Sequence, residues 1–223
     1  MGPAKFRVKA HFETLLSGQR KVLEKLGPII QSRGFYLAGG TAIALQLGHR
    51  ESVDLDWFTR ERIPDPERLA GLLREDGFDF KMTSTGQEAL HGTIDGVRVT
   101  FIHYPYPSDF ETLELKNGST PLASLNDLAA IKLSTVSQRG HRKDFVDIYA
   151  IGMKHAPFSE MLKAYCVKFK VPNAPQVFYG LSYFVDAETT QMPKMLWPVK
   201  WPVIKKTILK WVNEAGKSPK RKA

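Results

Sequence analysis

The spacing of apolar residues predicts that the chain begins with helical structure and continues into a sheet. Residues 1–34 carry apolar positions at near-helical intervals, with candidate breaks at Gly18 and at Gly27-Pro28. The apolar run at 35–38 then predicts a strand, and the run at 42–47 predicts a short helix. We therefore expect a helical scaffold that leads into the first strand of a sheet.

Four further strands and one helix are predicted between residues 53 and 104. The first of these four strands ends at Phe58-Thr59. A helix with Pro66 near its start follows over residues 67–76. The other three strands are predicted at residues 78–85, 89–94 and 97–104. Asp95-Gly96 separates the last two, and Asp-Gly between alternating runs is typical of a tight hairpin turn.

Apolar residues return to helical spacing in the last part of the chain. Helices are predicted over residues 125–136 and 141–149, and mostly helical structure is predicted from residue 158 onward. A proline-rich interruption lies at residues 171–175. We therefore expect an α+β protein, with its strands in residues 1–120 and a mainly helical part in residues 121–223.

Composition limits the classes of protein that this chain can represent. It has 223 residues, of which 43% are hydrophobic, so disorder over the whole chain is excluded. No apolar run approaches the roughly 20 residues that cross a bilayer, and no secretory leader is recognisable, so we expect a cytoplasmic protein with no membrane segment. The single cysteine, Cys166, excludes an intrachain disulfide and a cysteine-based zinc cluster.

Positive charge is concentrated near the C-terminal end of the sequence. The whole chain carries +9, and Lys194–Ala223 accounts for +8 of it, with nine lysine or arginine residues and one acid. A basic end on a near-neutral body is typical of a protein that binds a phosphate-rich partner such as RNA. For Lys217–Lys222 alone, a solubilising tail is the favoured interpretation.

Three tryptophans lie in this basic stretch, at positions 197, 201 and 211. Aromatic rings interleaved with cations can stack on nucleic acid bases. However, Trp201 and Trp211 fall at helical spacing with Ile204 and Ile208, which favours a stripe of side chains that faces a core.

The candidate chemistry lies between residues 36 and 59. Gly39-Gly40-Thr41 precedes an apolar helix, and paired glycines at such a position let backbone N–H groups approach a phosphate closely. Asp54 and Asp56 are two residues apart, so in a strand they share one face. The other face would carry Val53, Leu55 and Trp57. Because two carboxylates on one face repel unless a cation such as Mg²⁺ lies between them, the stretch predicts a site for a metal ion and a phosphate-bearing substrate.

These residues resemble the signature of a known group of enzymes. Gly39-Gly40-Thr41 followed by Asp54-Leu55-Asp56 resembles the polymerase-β-like nucleotidyltransferase superfamily. The longer string His49-Arg50-x-Ser52-x-Asp54-x-Asp56-x-Phe58 is similar to the AbiEii-type nucleotidyltransferase toxins of type IV toxin–antitoxin systems, a group that includes the MenT toxins. Leu181 to Glu188 resembles the C-terminal region of the same toxins, so the resemblance spans most of the chain.

The resemblance implies a fold and an activity. The fold is α+β, with a nucleotidyltransferase-type mixed sheet and flanking helices followed by a helical part that completes the active site. The activity is transfer of a nucleoside monophosphate from an NTP to RNA, at the 3′ end of tRNA, and the partner is a cognate antitoxin protein. Asp54 and Asp56 would hold Mg²⁺, and Gly39, Gly40, Thr41 and Ser52 would bind phosphate oxygens.

Two residues in the helical part match further site positions of the toxin family. These are Lys132 and the second aspartate of Lys143-Asp144-x-x-Asp147. By resemblance, Lys132 would place a positive charge against the triphosphate, and Asp147 would help to hold the metal or orient the acceptor. The residues alone leave other interpretations open, namely a snorkelling lysine and a helical ion pair between Lys143 and Asp147.

The strand at 97–104 departs from the superfamily pattern. A third carboxylate is expected there, but this strand contains no acid, and Thr100 or Arg98 takes the matching place. We therefore expect one Mg²⁺ rather than two. Three other functions stay open at this point: a nucleotidyltransferase for a protein or small molecule, a degenerate nucleotide- or RNA-binding module, and a metal-dependent nuclease.

Overall fold

The structure, a computed structural model, describes residues 7–217. Most of the predicted basic tail at Lys217–Lys222 lies outside the described residues. The chain forms two compact units that divide after Ser124. The first unit contains the strands and the second contains helices, as the α+β interpretation predicts.

The first unit is built on a mixed sheet. In the described part of the chain its strands are β1 (Arg7–Val8), β2 (Phe35–Ala38), β3 (Asp54–Thr59), β4 (Phe80–Gly86), β5 (Ala89–Ile94), β6 (Val97–His103), β7 (Phe110–Leu115) and β8 (Gly118–Ala123). Their order in the sheet is β1-β7-β8-β2-β3-β6-β5-β4. The central strand β3 pairs antiparallel with β2 and parallel with β6. The Asp95-Gly96 turn joins β5 to β6 with both residues at positive φ, as the hairpin prediction requires.

In the described part of this unit a 3-10 helix at Phe12–Thr14 precedes three α-helices: α1 (Ser17–Gln31), α2 (Gly39–Leu47) and α3 (Pro66–Glu75). The start of α3 follows the prediction, since the Asp65 carboxylate accepts a hydrogen bond from Arg68 N at 2.9 Å. The predicted breaks in the first helix are wrong, because α1 runs through Gly18 and Gly27-Pro28. Gly27 instead permits close packing, since a Cβ there would lie 3.3 Å from side-chain carbons of Leu115 and Thr120.

Three further details of the first unit differ from the predictions. Residues 7–8 were expected within the initial helical segment, but they form strand β1, which pairs parallel with β7. The hairpin of β7 and β8 was not predicted, because its strands carry threonines, acids and Pro121 in place of a clear apolar alternation. Val53 was expected on the apolar face beside Leu55, but it precedes β3 and is 47% exposed. Leu55 and Trp57 do lie in the core, where both are fully buried.

The elements of regular structure described in the second unit are all helices. Its helices are α4 (Leu125–Gln138), α5 (Arg142–Lys154), α6 (Phe158–Phe169), α7 (Pro175–Ser182), α8 (Val185–Thr189) and α9 (Trp201–Lys217). Helix α4 packs against α5, α6 and α7, and α9 packs against the same three helices. Burial raises the pKa of the Cys166 thiol, so this cysteine is not a prepared nucleophile. Within residues 7–217, no helix has the length and apolar character needed to cross a membrane.

Candidate active site

Asp54 and Asp56 lie on one face of β3. Buried and half-buried residues alternate along this strand, and Leu55, Trp57 and Thr59 are nearly inaccessible to solvent. The two aspartates are half-buried and belong to the opposite face. The two-residue repeat of a strand therefore presents both carboxylates to the same side of the sheet.

Gly39 brings the start of α2 close to Asp56. Strand β2 ends at Ala38, which pairs with Asp56 across the sheet, and α2 begins at the next residue. Gly39 has φ of +66°, and a Cβ there would lie 3.0 Å from Cβ and Cγ of Asp56. A residue with a side chain would therefore have to move either the helix or the carboxylate.

The first turn of α2 has the properties of a phosphate-binding helix start. The N-cap residue is Ala38, and no side chain caps the helix. The first N–H groups of any helix have no acceptor within the helix, and the helix dipole places partial positive charge at the same end. Gly39, Gly40 and Thr41 occupy this turn, so their N–H groups can serve a phosphate oxygen.

Thr41 and Ser52 hold the beginning of β3 in place. Both side chains are buried, and their hydroxyl oxygens are 2.8 Å apart. The Thr41 hydroxyl also contacts the carbonyl oxygen of Asp54, which accepts a second hydrogen bond from Gln19 Nε2 at 3.2 Å. These contacts position Asp54 relative to α2, while phosphate binding by the two hydroxyls stays a prediction.

Strand β6 places Arg98 and Thr100, the two candidates for the third carboxylate position, beside the aspartates of β3. Its register sets Arg98 beside Asp54 and Thr100 beside Asp56. Arg98 Nε lies 2.6 Å from Asp54 Oδ1, and the two groups form an ion pair without hydrogen-bond geometry. This buried oxygen has no hydrogen-bond donor among the described residues. The Arg98 side chain is 66% exposed, so it can leave the carboxylate without disturbing the core.

The two aspartates fit a single hard cation. Within residues 7–217, no cluster of three or more His, Cys, Asp or Glu side chains is arranged to hold a metal ion. Mg²⁺ takes only one or two protein carboxylates where substrate phosphates and water complete its coordination. Asp54 contributes a buried anionic oxygen that lacks a hydrogen bond, and Asp56 lies against the glycine at the start of α2. Two carboxylates can serve one such ion, and the binding of a single Mg²⁺ here stays a prediction.

Lys132 forms a buried ion cluster within the second unit. Its ammonium lies 2.7 Å from Asp144 Oδ1 and 2.8 Å from Asp147 Oδ2. The two aspartates are fully buried on α5, and the lysine side chain on α4 is 8% exposed. Asp147 thus pairs with Lys132 on the neighbouring helix rather than with Lys143 on its own helix. The catalytic assignment of Lys132 and Asp147 stays a prediction.

Two residues were absent from the predicted site. Asp144 was absent although it lies three positions before Asp147 on the same helix face, and this spacing was the signal that could have found it. Arg98 was considered only as the occupant of the third carboxylate position. Its ion pair with Asp54 depends on the register of β3 and β6, which the sequence alone does not provide.

The string at 181–188 connects helices of the second unit. Glu188 Oε2 lies 3.2 Å from Arg142 Nη2, and Glu188 Oε1 accepts from Trp201 Nε1 at 3.0 Å. Hydrogen bonds from Lys205 and Trp201 lower the pKa of Glu188, so it stays ionised at neutral pH. This part of the family resemblance therefore joins α5, α8 and α9.

Comparison with known proteins finds similar chains in sequence and in fold. Residues 22–105 match the family model described as the nucleotidyl transferase AbiEii toxin of type IV toxin–antitoxin systems. The chain is 31% identical over 171 residues to an uncharacterized protein of Aquifex aeolicus (strain VF5), covering 76% of this chain and 82% of that protein. In fold it is similar to MenT4, a nucleotidyltransferase toxin of Mycobacterium tuberculosis H37Rv, with a TM-score of 0.62 and 16% identity over 90% of this chain and 83% of that chain. The predicted nucleotidyltransferase-type fold is thereby confirmed, and the chain belongs to the AbiEii family of nucleotidyltransferase toxins.

Proposed function

We propose that this protein transfers a nucleoside monophosphate from an NTP to the 3′ end of tRNA, with Mg²⁺ as cofactor, and that it is the toxin partner of a cognate antitoxin. The observation that carries the proposal is the pair of half-buried carboxylates, Asp54 and Asp56, facing one side of β3 beside the start of α2. Carboxylates, a metal ion and a helix N-terminus are together suited to binding a triphosphate.

The proposed reaction forms one P–O bond at the α-phosphorus and breaks another. The terminal hydroxyl of the acceptor gives its proton to water and attacks the α-phosphorus, a new P–O bond forms, and the bond to the oxygen that bridges the α- and β-phosphates breaks. Pyrophosphate leaves with that oxygen. Asp54 and Asp56 would hold Mg²⁺, which supplies neutralisation of the charge on the triphosphate.

The remaining site residues bind and orient the substrate. N–H groups of Gly40 and Thr41 would donate to phosphate oxygens, because the start of α2 has no side-chain cap. We assign Lys132 to the triphosphate and Asp147 to the metal or the acceptor by family resemblance. Reactions of this kind depend on positioning and electrostatics more than on a covalent nucleophile, and Cys166 is not required.

The charge of the second unit supports an RNA acceptor. After Ser124 the sequence contains seventeen lysine and arginine residues against seven acidic ones, a net charge of +10. The preceding 124 residues carry −1. Because nucleic acid binding draws on cations that neutralise phosphates, the second unit is the part suited to hold RNA.

The test is incubation of the enzyme with each labelled NTP, Mg²⁺ and tRNA. We expect labelled and lengthened tRNA with at least one NTP, and a loss of roughly hundredfold or more in Asp54→Asn and Asp56→Asn. The matched control is Asp79→Asn, which changes an exposed aspartate that pairs with Lys81. Transfer that survives both substitutions or persists in EDTA would contradict the proposal. Shortened RNA would instead identify a nuclease, and label in protein or metabolites would identify another acceptor.

A second candidate function is a non-catalytic module that binds nucleotide or RNA. The observation that favours it is the ion pair of Arg98 with Asp54, on a strand that lacks the third carboxylate. Such a module would transfer no label from any NTP, and Asp54→Asn would leave its binding of RNA and any growth inhibition unchanged. Arg98→Asp provides the complementary test. In an enzyme, an acid at this position should strengthen metal binding. In a module that lacks catalysis, the same substitution should have no effect on transfer.

A further inference from the structure

An open pocket in the second unit lies outside the candidate active site residues. It has a volume of about 640 Å³ and involves α5 and the segment that leads into α9. Its lining includes Tyr149, Lys154, Trp197, Val199, Lys200 and Val203. The pocket therefore combines aromatic and aliphatic surface with two ammonium groups.

Trp197 differs from the other two tryptophans of the basic stretch. Trp201 packs edge-on against Phe145, with ring centroids 5.8 Å apart. Trp211 stacks on Tyr149, with ring centroids 6.2 Å apart. These two follow the core-facing stripe that their helical spacing predicts. Trp197 precedes α9, is half-buried and lines the pocket, where its ring can meet a ligand.

The two pocket lysines lack the carboxylates that neighbouring lysines have. Lys205 forms an ion pair with Glu188, and Lys210 lies 3.8 Å from a carboxylate oxygen of Glu214. Among residues 7–217, neither Lys154 nor Lys200 has an acidic group within ion-pair distance. The ammonium of Lys154 lies 5.7 Å from the centroid of the Trp197 ring. A ligand with both negative charge and a flat ring would use every part of this lining.

We propose that this pocket binds a single-stranded stretch of the RNA acceptor, with a base against Trp197 and the flanking phosphates on Lys154 and Lys200. The inference rests on the proposed function, since it assigns a binding place to the RNA that the active site would modify. A purely apolar peptide would leave two ammonium groups without a counter-charge, and an acidic peptide would make no use of the Trp197 ring. Single-stranded RNA supplies both chemistries, because its bases are free to stack.

The experiment measures binding of a fluorescein-labelled single-stranded RNA of about twelve nucleotides to the full chain, in the absence of NTP. Trp197→Leu keeps an apolar side chain but removes the ring, and we expect affinity to fall about tenfold. Trp197→Phe keeps a ring and should retain most of the affinity. The same sequence annealed as a duplex should bind wild type and Trp197→Leu equally well, because its bases are already stacked.

The lysines are tested by the salt dependence of the same binding. Lys154→Gln and Lys200→Gln should each reduce the slope of log K against log salt by about 0.7, as the loss of one phosphate contact to a single strand requires. Lys206→Gln is the matched control, since it removes an exposed lysine of α9 that does not line the pocket. It should change neither affinity nor slope.

The outcomes separate this inference from the proposed function. A folded Trp197→Leu variant that binds single-stranded RNA like wild type overturns the pocket. If that variant does not fold, an unchanged salt slope in the Lys154→Gln/Lys200→Gln double variant overturns it instead. If the protein transfers nucleotides to RNA and the pocket variants have no effect, the pocket is refuted and the proposed function is not. Weakened binding in pocket variants of a protein that transfers nothing to RNA supports the pocket and refutes the transfer.

Discussion

Gly39 contributes to the candidate site through the side chain that it lacks. Its left-handed backbone and the 3.0 Å approach of a virtual Cβ to Asp56 both disfavour any other residue. We expect Gly39→Ala to lower the free energy of unfolding by at least about 1–2 kcal/mol, the usual cost of an L-residue in this conformation. We also expect it to reduce nucleotide transfer, because the carboxylate must move. Urea unfolding and the tRNA labelling assay measure the two effects.

The matched control for Gly39 is Gly71, which lies within α3. A Cβ at Gly71 would meet no atom within 4 Å, and its backbone is not left-handed. Gly71→Ala should therefore raise the free energy of unfolding by roughly 0.5–1 kcal/mol, since alanine favours a helix. Equal effects of the two substitutions would show that the approach of α2 to Asp56 is unimportant.

Lys132 has a structural role that must be separated from any catalytic one. Lys132→Met leaves two fully buried aspartates, Asp144 and Asp147, without the cation that contacts both. Breaking such a buried cluster costs about 3–5 kcal/mol, and we expect a loss of this size in urea unfolding. Tryptophan fluorescence is a suitable probe, because three of the four tryptophans belong to the second unit.

Two further variants decide how the loss at Lys132 is interpreted. Adding Asp144→Asn and Asp147→Asn to Lys132→Met should recover part of the stability, because no uncompensated buried charge remains. Lys163→Met, which changes an exposed lysine on α6, should have little effect. Loss of activity in a Lys132 variant then counts as catalytic only where the variant is as stable as wild type.

Single residues of the site show where sequence reasoning succeeds and where it stops. The shared face of Asp54 and Asp56 follows from the two-residue repeat of a strand, which needs no tertiary information. The contact of the Thr41 hydroxyl with the Asp54 carbonyl joins two different elements, and the ion pair of Arg98 depends on strand register. Such long-range contacts leave no periodic trace in the sequence. The positioning of β3 by the Thr41 and Ser52 hydroxyls was therefore not predicted, and their binding of phosphate stays a prediction.

At the scale of elements, the hairpin of β4 and β5 provides a pH-dependent prediction. Glu88 lies in its turn, and hydrogen bonds from Arg62 and then His103 lower the pKa of the Glu88 carboxyl. A lowered pKa in the folded state means that the stabilisation is present above the pKa of the unfolded chain, about 4.3, and is lost as pH falls through the folded value. Glu88→Gln should therefore be less stable than wild type at pH 7, and the difference should shrink below about pH 4.

The control for this hairpin is an exposed ion pair in the same unit. Glu114 lies 3.5 Å from Arg7, and both side chains are largely exposed. Glu114→Gln should change the free energy of unfolding little at any pH, because water and salt screen such pairs. If the free energies of unfolding of wild type and Glu88→Gln differ by a constant amount from pH 8 to pH 3, the charge on Glu88 contributes nothing to stability.

Elements with a strong local signal were predicted well, and the others were not. The helix at Pro66 and the turn at Asp95-Gly96 rest on short-range backbone preferences that the structure retains. Gly27-Pro28 has the same breaker composition, yet α1 continues through it because β8 packs closely against Gly27. Where the local backbone preference conflicts with packing against the sheet, the tertiary packing therefore determines the secondary structure.

At the scale of the whole molecule, the separation of charge predicts which part controls RNA affinity. Truncation after Lys217 removes three positive charges and no acid from the basic unit. Since each cation on a phosphate contributes about 0.7 to the salt slope for a single strand, the slope should fall by up to about 2. Replacing the exposed Lys21, Lys81 and Lys116 of the first unit with glutamine removes the same charge and should leave the slope unchanged.

The comparison of these two variants distinguishes placement of charge from its amount. Counterion release counts only the cations that lie on phosphates, so a distant lysine changes net charge without changing the slope. If RNA is the acceptor, the truncated enzyme should also show a higher KM for tRNA with kcat retained, because the lost contacts stabilise bound RNA equally before and during reaction. Equal slopes for both variants would show that net charge alone governs binding, and the second unit would then have no special part in holding the acceptor.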